Sequence, residues 1–152
     1  MDRKAMILLV EDDRMDIELT LDAFREARLE NDIHVVQTGE EALDYLFGRG
    51  VYTDRKRHPL PDLILLDLKL PGISGHDVLK TIKETPLLKR VPVIILTSSR
   101  EESDRAAGYD HCVNSYLVKP ISFSGFLSVV KTICNYWLTL NVSPPLGVKR
   151  EE

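Results

Sequence analysis

The chain predicts an α/β fold in which helices cover both faces of a single five-stranded parallel sheet, a doubly wound arrangement. Short apolar runs of strand length recur, and each is followed by a segment of helical pattern. The runs are Ala5–Val10, Ile33–Gln37, Leu63–Leu66, Val91–Thr97 and Ser115–Val118. Most are continuously apolar and rich in Val, Ile and Leu, as suits strands covered on both sides. Strands that alternate with helices imply parallel pairing through right-handed crossovers.

The helices can be taken in order. Ile17, Leu21 and Phe24 recur at i, i+4 and i+7 and give the first helix one apolar stripe. Capping-box spacing marks three further starts: Thr38 with Glu41, Ser74 with Asp77, and Ser99 with Glu102. A last helix is expected from about Phe123 to Trp137, with Phe126, Val130 and Ile133 on one stripe. Two segments exceed this minimal plan. One is the loop Gly48–Pro61, whose glycines suggest mobility and whose run Arg55-Lys56-Arg57 reads as solvated. The other is the tail Leu138–Glu152, whose Pro144-Pro145 pair cannot continue a helix.

Composition removes several classes of function. At 152 residues, 43% hydrophobic and 29% charged, the chain has the make-up of one soluble globular domain. No apolar run approaches the roughly 20 residues needed to cross a bilayer, and the early acids are wrong for a secretory signal. No membrane role and a cytoplasmic setting are expected. A formal charge of −4 argues against nucleic acid as a partner. Cys112 and Cys134 lack metal-ligand spacing, and the four histidines are scattered.

The chemistry gathers at the strand ends. In open parallel sheets, ligands bind outside the carboxyl ends of the strands. Strand one ends at Glu11 and Asp12, strand three at Asp67, strand four at Thr97 and strand five at Lys119. Neighbouring carboxylates cannot all stay ionised cheaply without a cation among them. All-oxygen ligands in an open site suit Mg²⁺, which accepts one or two carboxylates and keeps several waters. One carboxylate could then be a nucleophile toward phosphorus, with a hydroxyl and an ammonium to stabilise the transferred group. Asp13, beside the acid pair, reads as a helix-start residue.

These residues give a resemblance across about Met6 to Tyr136. The acid pair Glu11-Asp12, Asp67 followed by LKLPGISG, Thr97-Ser98, Tyr116 and Lys119-Pro120 stand in the order found in response-regulator receiver domains of two-component signalling. The insert before the third strand and the tail NYWLTLNVSPP are similar to those of small phytochrome-associated response regulators. The resemblance implies the flavodoxin-like (βα)₅ receiver fold and a phosphoacceptor Asp67. It implies Mg²⁺ held by Glu11, Asp12, Asp67 and the backbone carbonyl of Lys69. Thr97 and Lys119 would assist the phosphoryl group, Thr97 and Tyr116 would form a switch, and the Lys119–Pro120 bond would be cis.

The resemblance further implies a sensor histidine kinase of phytochrome type as phosphodonor, and a protein that promotes its own phosphorylation and dephosphorylation without being an enzyme on other substrates. Residues 1–137 would form the receiver and 138–152 an extension, with Trp137, Leu138, Leu140 and Val142 placed to support a homodimer. Two rivals share parts of the pattern. A magnesium-dependent aspartyl-phosphate hydrolase of the haloacid type needs an acid two residues after its nucleophile, where this chain has Lys69. A flavodoxin-like electron carrier needs a phosphate-binding loop after the first strand, where this chain has acids.

Overall fold

A computed structural model describes residues 5–27, 31–140 and 144–145. The elements run β1 (Ala5–Val10), α1 (Arg14–Glu26), β2 (Asn31–Val36), α2 (Gly39–Phe47), a 3₁₀ turn (Gly50–Tyr52), β3 (Leu63–Leu66), α3 (Gly75–Glu84), β4 (Val93–Thr97), α4 (Glu102–Asp110), β5 (Ser115–Val118) and α5 (Phe123–Ile133). The five strands form one sheet in the order β2-β1-β3-β4-β5, and every neighbouring pair is parallel. After β2 the chain returns across β1 to lay down β3. The crevice at the carboxyl ends of β1 and β3 is therefore the switch point where doubly wound sheets bind ligands.

Period-two alternation divides the core. Met6, Leu8 and Val10 of β1 face a cluster with Leu46 of α2 and Val78 and Ile82 of α3. Ile7 and Leu9 face the opposite cluster, built with Ala23 and Phe24 of α1 and Phe126, Val130 and Ile133 of α5. β1, β3 and β4 each have neighbours on both sides and are buried along nearly their whole length. That explains why they read as unbroken apolar runs. β4 starts at Val93, two residues later than expected. The Val91 N–H is taken by Leu88 O at 2.9 Å, and Pro92 has no N–H to give.

Local signals set most of the helix starts. Thr38 and Ser74 cap α2 and α3 by accepting from the N–H groups of Glu41 and Asp77, as their spacing predicts. The expected Ser99–Glu102 box does not form. Glu101 is the N-cap residue of α4 and makes no side-chain cap bond. The Ser99 hydroxyl instead donates to Asp104 Oδ2 at 2.6 Å. Beyond α5, residues Cys134–Leu140 continue as π-helical turns, so the regular helix ends short of Trp137. Trp137 and Leu138 pack back onto the cluster shared with α5. The side chain of Leu140 and all of Val142 lie outside the described residues.

The loop Gly48–Pro61 is folded rather than loose. Gly48 ends α2 in the left-handed region, with φ of +68°. The Arg55 guanidinium then donates to the carbonyls of Tyr45 at 2.7 Å and Leu46 at 3.0 Å. It thus satisfies carbonyls that the end of a helix leaves without partners. Tyr52 is buried, and its hydroxyl donates to Glu41 at 2.7 Å. Tyr45, Tyr52, His34 and His58 form a cluster with ring centroids 5.0–5.8 Å apart. Among the described residues, no helix is long and apolar enough to cross a membrane.

Candidate functional site

Sheet hydrogen bonds carry the backbone one residue past the strands and fix where the charged side chains begin. Glu11 N–H donates to Val36 O at 3.0 Å, Asp67 N–H to Val10 O at 3.0 Å, and Lys119 N–H to Thr97 O at 2.7 Å. Glu11, Asp12 and Asp67 each bring a carboxylate oxygen within 4.8 Å of the other two. Glu11 and Asp67 are buried, whereas Asp12 is exposed. Such a set of hard oxygen donors, closed on one side and open on the other, fits a divalent cation that keeps part of its water shell. The loop after β3 supports the arrangement. The Lys69 N–H lies 3.5 Å from Asp67 Oδ1, so the start of this loop borders the acidic site.

Lys119 closes the site from the other side. Its ammonium donates to Glu11 Oε1 at 2.6 Å, Asp16 Oδ2 at 2.7 Å and Asp67 Oδ2 at 3.3 Å. The Lys119–Pro120 bond is trans, since no cis peptide occurs among the described residues. This corrects the cis expectation. Trans is the lower-energy isomer of an X–Pro bond by about 0.5–1 kcal/mol, and the long lysine stem reaches the acids without the cis form.

Asp16 was not singled out from the sequence. It lies in the first turn of α1, and its own N–H is held by the N-cap Asp13 at 3.0 Å. A signal existed: a helix starting directly at a strand end turns its first-turn residues toward the strand-end pocket. Asp13 takes the helix-start role expected of it.

The electrostatics follow from burial and proximity. Burial pushes the Glu11 carboxyl up to about 7, with the Asp67 charge adding to the rise and the Lys119 hydrogen bond opposing it. For Lys119, burial alone would lower the pKa. The hydrogen bonds to Asp16 and Glu11 and the charges of Asp67 and Glu11 outweigh it, so the ammonium is held above its ordinary range. Asp67 Oδ1 accepts from the Leu68 N–H at 2.7 Å, and Oδ2 faces Lys119. The nucleophile candidate is thereby fixed at both oxygens.

Glycine is required where this loop turns into α3. A methyl group at Gly75 would lie 2.3 Å from the Asp67 carbonyl oxygen. Thr97 is fully buried at the end of β4, and its hydroxyl accepts from the Ser99 N–H at 3.3 Å. Tyr116 is half-buried, and its hydroxyl donates to the Ser99 carbonyl at 3.2 Å. Burial raises its phenol pKa, with the Ser99 side chain opposing. The expected residues thus assemble at one edge of the sheet.

The profile of the response regulator receiver domain family matches residues 7–131. This chain belongs to that family. Its relatives include a probable methanogenesis regulatory protein, FilR2 of Methanothrix harundinacea, 40% identical over 91% of this chain and 87% of its own length. The response regulator Rcp1 of Synechocystis is 38% identical over 88% of each chain. The crystal structure of Mn²⁺-bound Rcp1 superposes with a TM-score of 0.85 at 36% identity, over 93% of this chain and 99% of that one. The phosphorylated cyanobacterial phytochrome response regulator RcpA superposes with a TM-score of 0.88 at 38% identity, over 94% and 100%. Neither the hydrolase nor the flavodoxin-like carrier is favoured, and the protein is a receiver-type phosphoacceptor regulator.

Proposed function

We propose that Asp67 accepts a phosphoryl group from a phosphohistidine of a sensor kinase, and that protein contacts altered by this step are the output. The carrying observation is the Asp67 carboxylate beside Glu11 and Asp12 and 3.3 Å from the Lys119 ammonium. An Asp67 carboxylate oxygen attacks phosphorus, the P–O bond forms as the P–N bond breaks, and the imidazole leaves with a proton. Thr97 and Lys119 donate to the phosphoryl oxygens that arrive. Glu11, Asp12, Asp67 and the Lys69 carbonyl would hold Mg²⁺, which when bound supplies positive charge against those oxygens. The Mn²⁺ in Rcp1 and the phosphorylated state of RcpA support this reading.

Phosphorylation changes about one negative charge into nearly two and adds acceptors. Thr97 is drawn toward them, and Tyr116, tied to the same loop through Ser99, responds. Two or three charge-assisted bonds of about 1.5–3 kcal/mol each approach the roughly 5.5 kcal/mol that inverts a 1:99 equilibrium. Transfer from candidate kinases tests the acceptor. Wild type should take label and Asp67→Asn should lose it by at least about 100-fold. Label persisting on the variant would place the acceptor elsewhere.

The phosphodonor in this reading is a phytochrome-type histidine kinase in the cytoplasm, by analogy with RcpA. Residues 1–137 act as the receiver and 138–152 as an extension that supports a homodimer with α5. Tyr136 supports this, being 48% exposed and set edge-on to Trp137 at 5.1 Å. A chain ending at Tyr136 should scatter light as a monomer; an unchanged dimer mass would remove the extension from the interface.

A further inference from the structure

We infer that His76 and Asp104 are positioning residues for the phosphoryl site, acting through Ser99 to hold the β4–α4 loop that Thr97 and Tyr116 both use. Ser99 is the hub of this arrangement and is 6% exposed. Its N–H donates to the Thr97 hydroxyl at 3.3 Å, and its carbonyl accepts from the Tyr116 hydroxyl at 3.2 Å. Its own hydroxyl donates to Asp104 Oδ2 at 2.6 Å and accepts from the Glu101 N–H at 3.3 Å. One residue thus touches the switch pair through its backbone and α4 through its side chain.

The second half of the arrangement reaches α3. Asp104 Oδ1 lies 3.2 Å from His76 Nε2. A carboxylate only accepts, so Nε2 carries the proton of that bond. The other ring nitrogen, Nδ1, is buried and makes no hydrogen bond in the protein. The ring is therefore committed to Asp104 alone. The Ser99 hydrogen bond holds the Asp104 carboxyl below its ordinary value, with His76 and the Lys69 charge acting in the same direction. Lys69 stands in the loop after Asp67, so Asp104 is drawn toward the β3–α3 side while it grips the β4–α4 side. In this line Ser99 does not cap α4: its hydroxyl donates to Asp104 and accepts from the Glu101 N–H ahead of the helix, not from an N–H of α4 itself. The line explains a spacing with no other role, a His in the first turn of α3 matched to an Asp in the first turn of α4.

Releasing the latch leaves Thr97 with a mobile partner, and small misplacements of a stabilising group lower transfer rates. The proposal rests on Asp67 being the phosphoacceptor, so two measurements separate the two ideas. The first is the rate of Asp67 phosphorylation by phosphoramidate, a small donor that needs no kinase docking. Asp104→Ala and His76→Ala should each slow it by about threefold to tenfold. His76→Gln keeps an N–H donor at similar reach and should return the rate to within about twofold of wild type.

The second is amide exchange of Ser98–Glu101 in the unphosphorylated protein, which Asp104→Ala and His76→Ala should each accelerate about tenfold. Alanine variants with wild-type rates and exchange, or a glutamine variant as slow as the alanine one, would overturn the latch. Should Asp104→Ala not fold, the His76 pair decides alone. A wild type that takes no label at Asp67 would overturn the receiver reading, and the exchange experiment would still decide the latch.

Discussion

Two charged segments of this chain look alike on paper and behave differently. The acidic corner Glu11–Asp13 and the basic run Arg55–Arg57 each crowd like charges into a connection between elements. In the first, charge gathers where three strand ends meet, and one ammonium is shared by Glu11, Asp16 and Asp67. In the second, the charges part company. Arg55 is half-buried and closes the end of α2, whereas Lys56 and Arg57 face solvent. A run of like charges is thus no single object: each member is decided by the nearest group that lacks a partner.

The comparison can be broken at several points. The largest effect is expected at Gly75→Ala, because the added carbon would meet the backbone of Asp67 and the loop cannot yield without moving the acid. A loss of about 3 kcal/mol is expected from urea unfolding, together with slower phosphorylation. Arg55→Ala comes next. It removes two charge-assisted bonds from the end of α2 and should cost about 2 kcal/mol. Arg57→Ala, one turn of loop away and exposed, should stay within about 0.5 kcal/mol of wild type in the same titration. Equal losses at both positions would erase the distinction drawn between them.

A smaller effect than that of Arg55 is the most specific to the acidic corner. Glu11 titrates near 7 in the folded protein and near its ordinary 4.5 when unfolded. Between those values the unfolded chain has released a proton that the folded chain still holds. Its contribution to stability is therefore fully present below about 4.5 and is lost as pH rises through about 7. In metal-free buffer, wild type should lose about 1–2 kcal/mol relative to Glu11→Gln across that window, by chemical denaturation. Magnesium should flatten the difference, because a bound cation favours the ionised carboxylate. A wild type and variant that run parallel across the window would disprove the assignment.

What could be read in advance follows the same logic. β1, β3 and β4 were legible because burial on both faces leaves no room for polar residues. The edge strand β2 was harder to bound, since Asp32 is exposed and the strand begins at Asn31 rather than Ile33. Glu11, Asp12, Asp67, Thr97 and Lys119 were legible because each ends a strand, so position alone gathers them. Asp16 was missed because its role depends on how α1 leaves the sheet, which spacing does not report. Ser99 misled for a related reason: a hydroxyl three residues ahead of an acid predicts a cap only if nothing nearer claims it, and the Glu101 N–H does, while Asp104 takes the hydroxyl's proton. Arg55 was hidden by its neighbours, since nothing in Arg-Lys-Arg distinguishes the one cation that folds inward.

The grip of Lys119 on the acids also bears on metal uptake. The pocket carries a resident counter-ion on a flexible tether, so an incoming divalent ion must share or displace it. Attraction from the carboxylates is spent partly on a charge that is already present, which favours loose and quickly reversible occupancy. A site built this way would respond to how much free divalent cation surrounds it, and the readiness of the protein to take up or shed a phosphate would rise and fall with that supply.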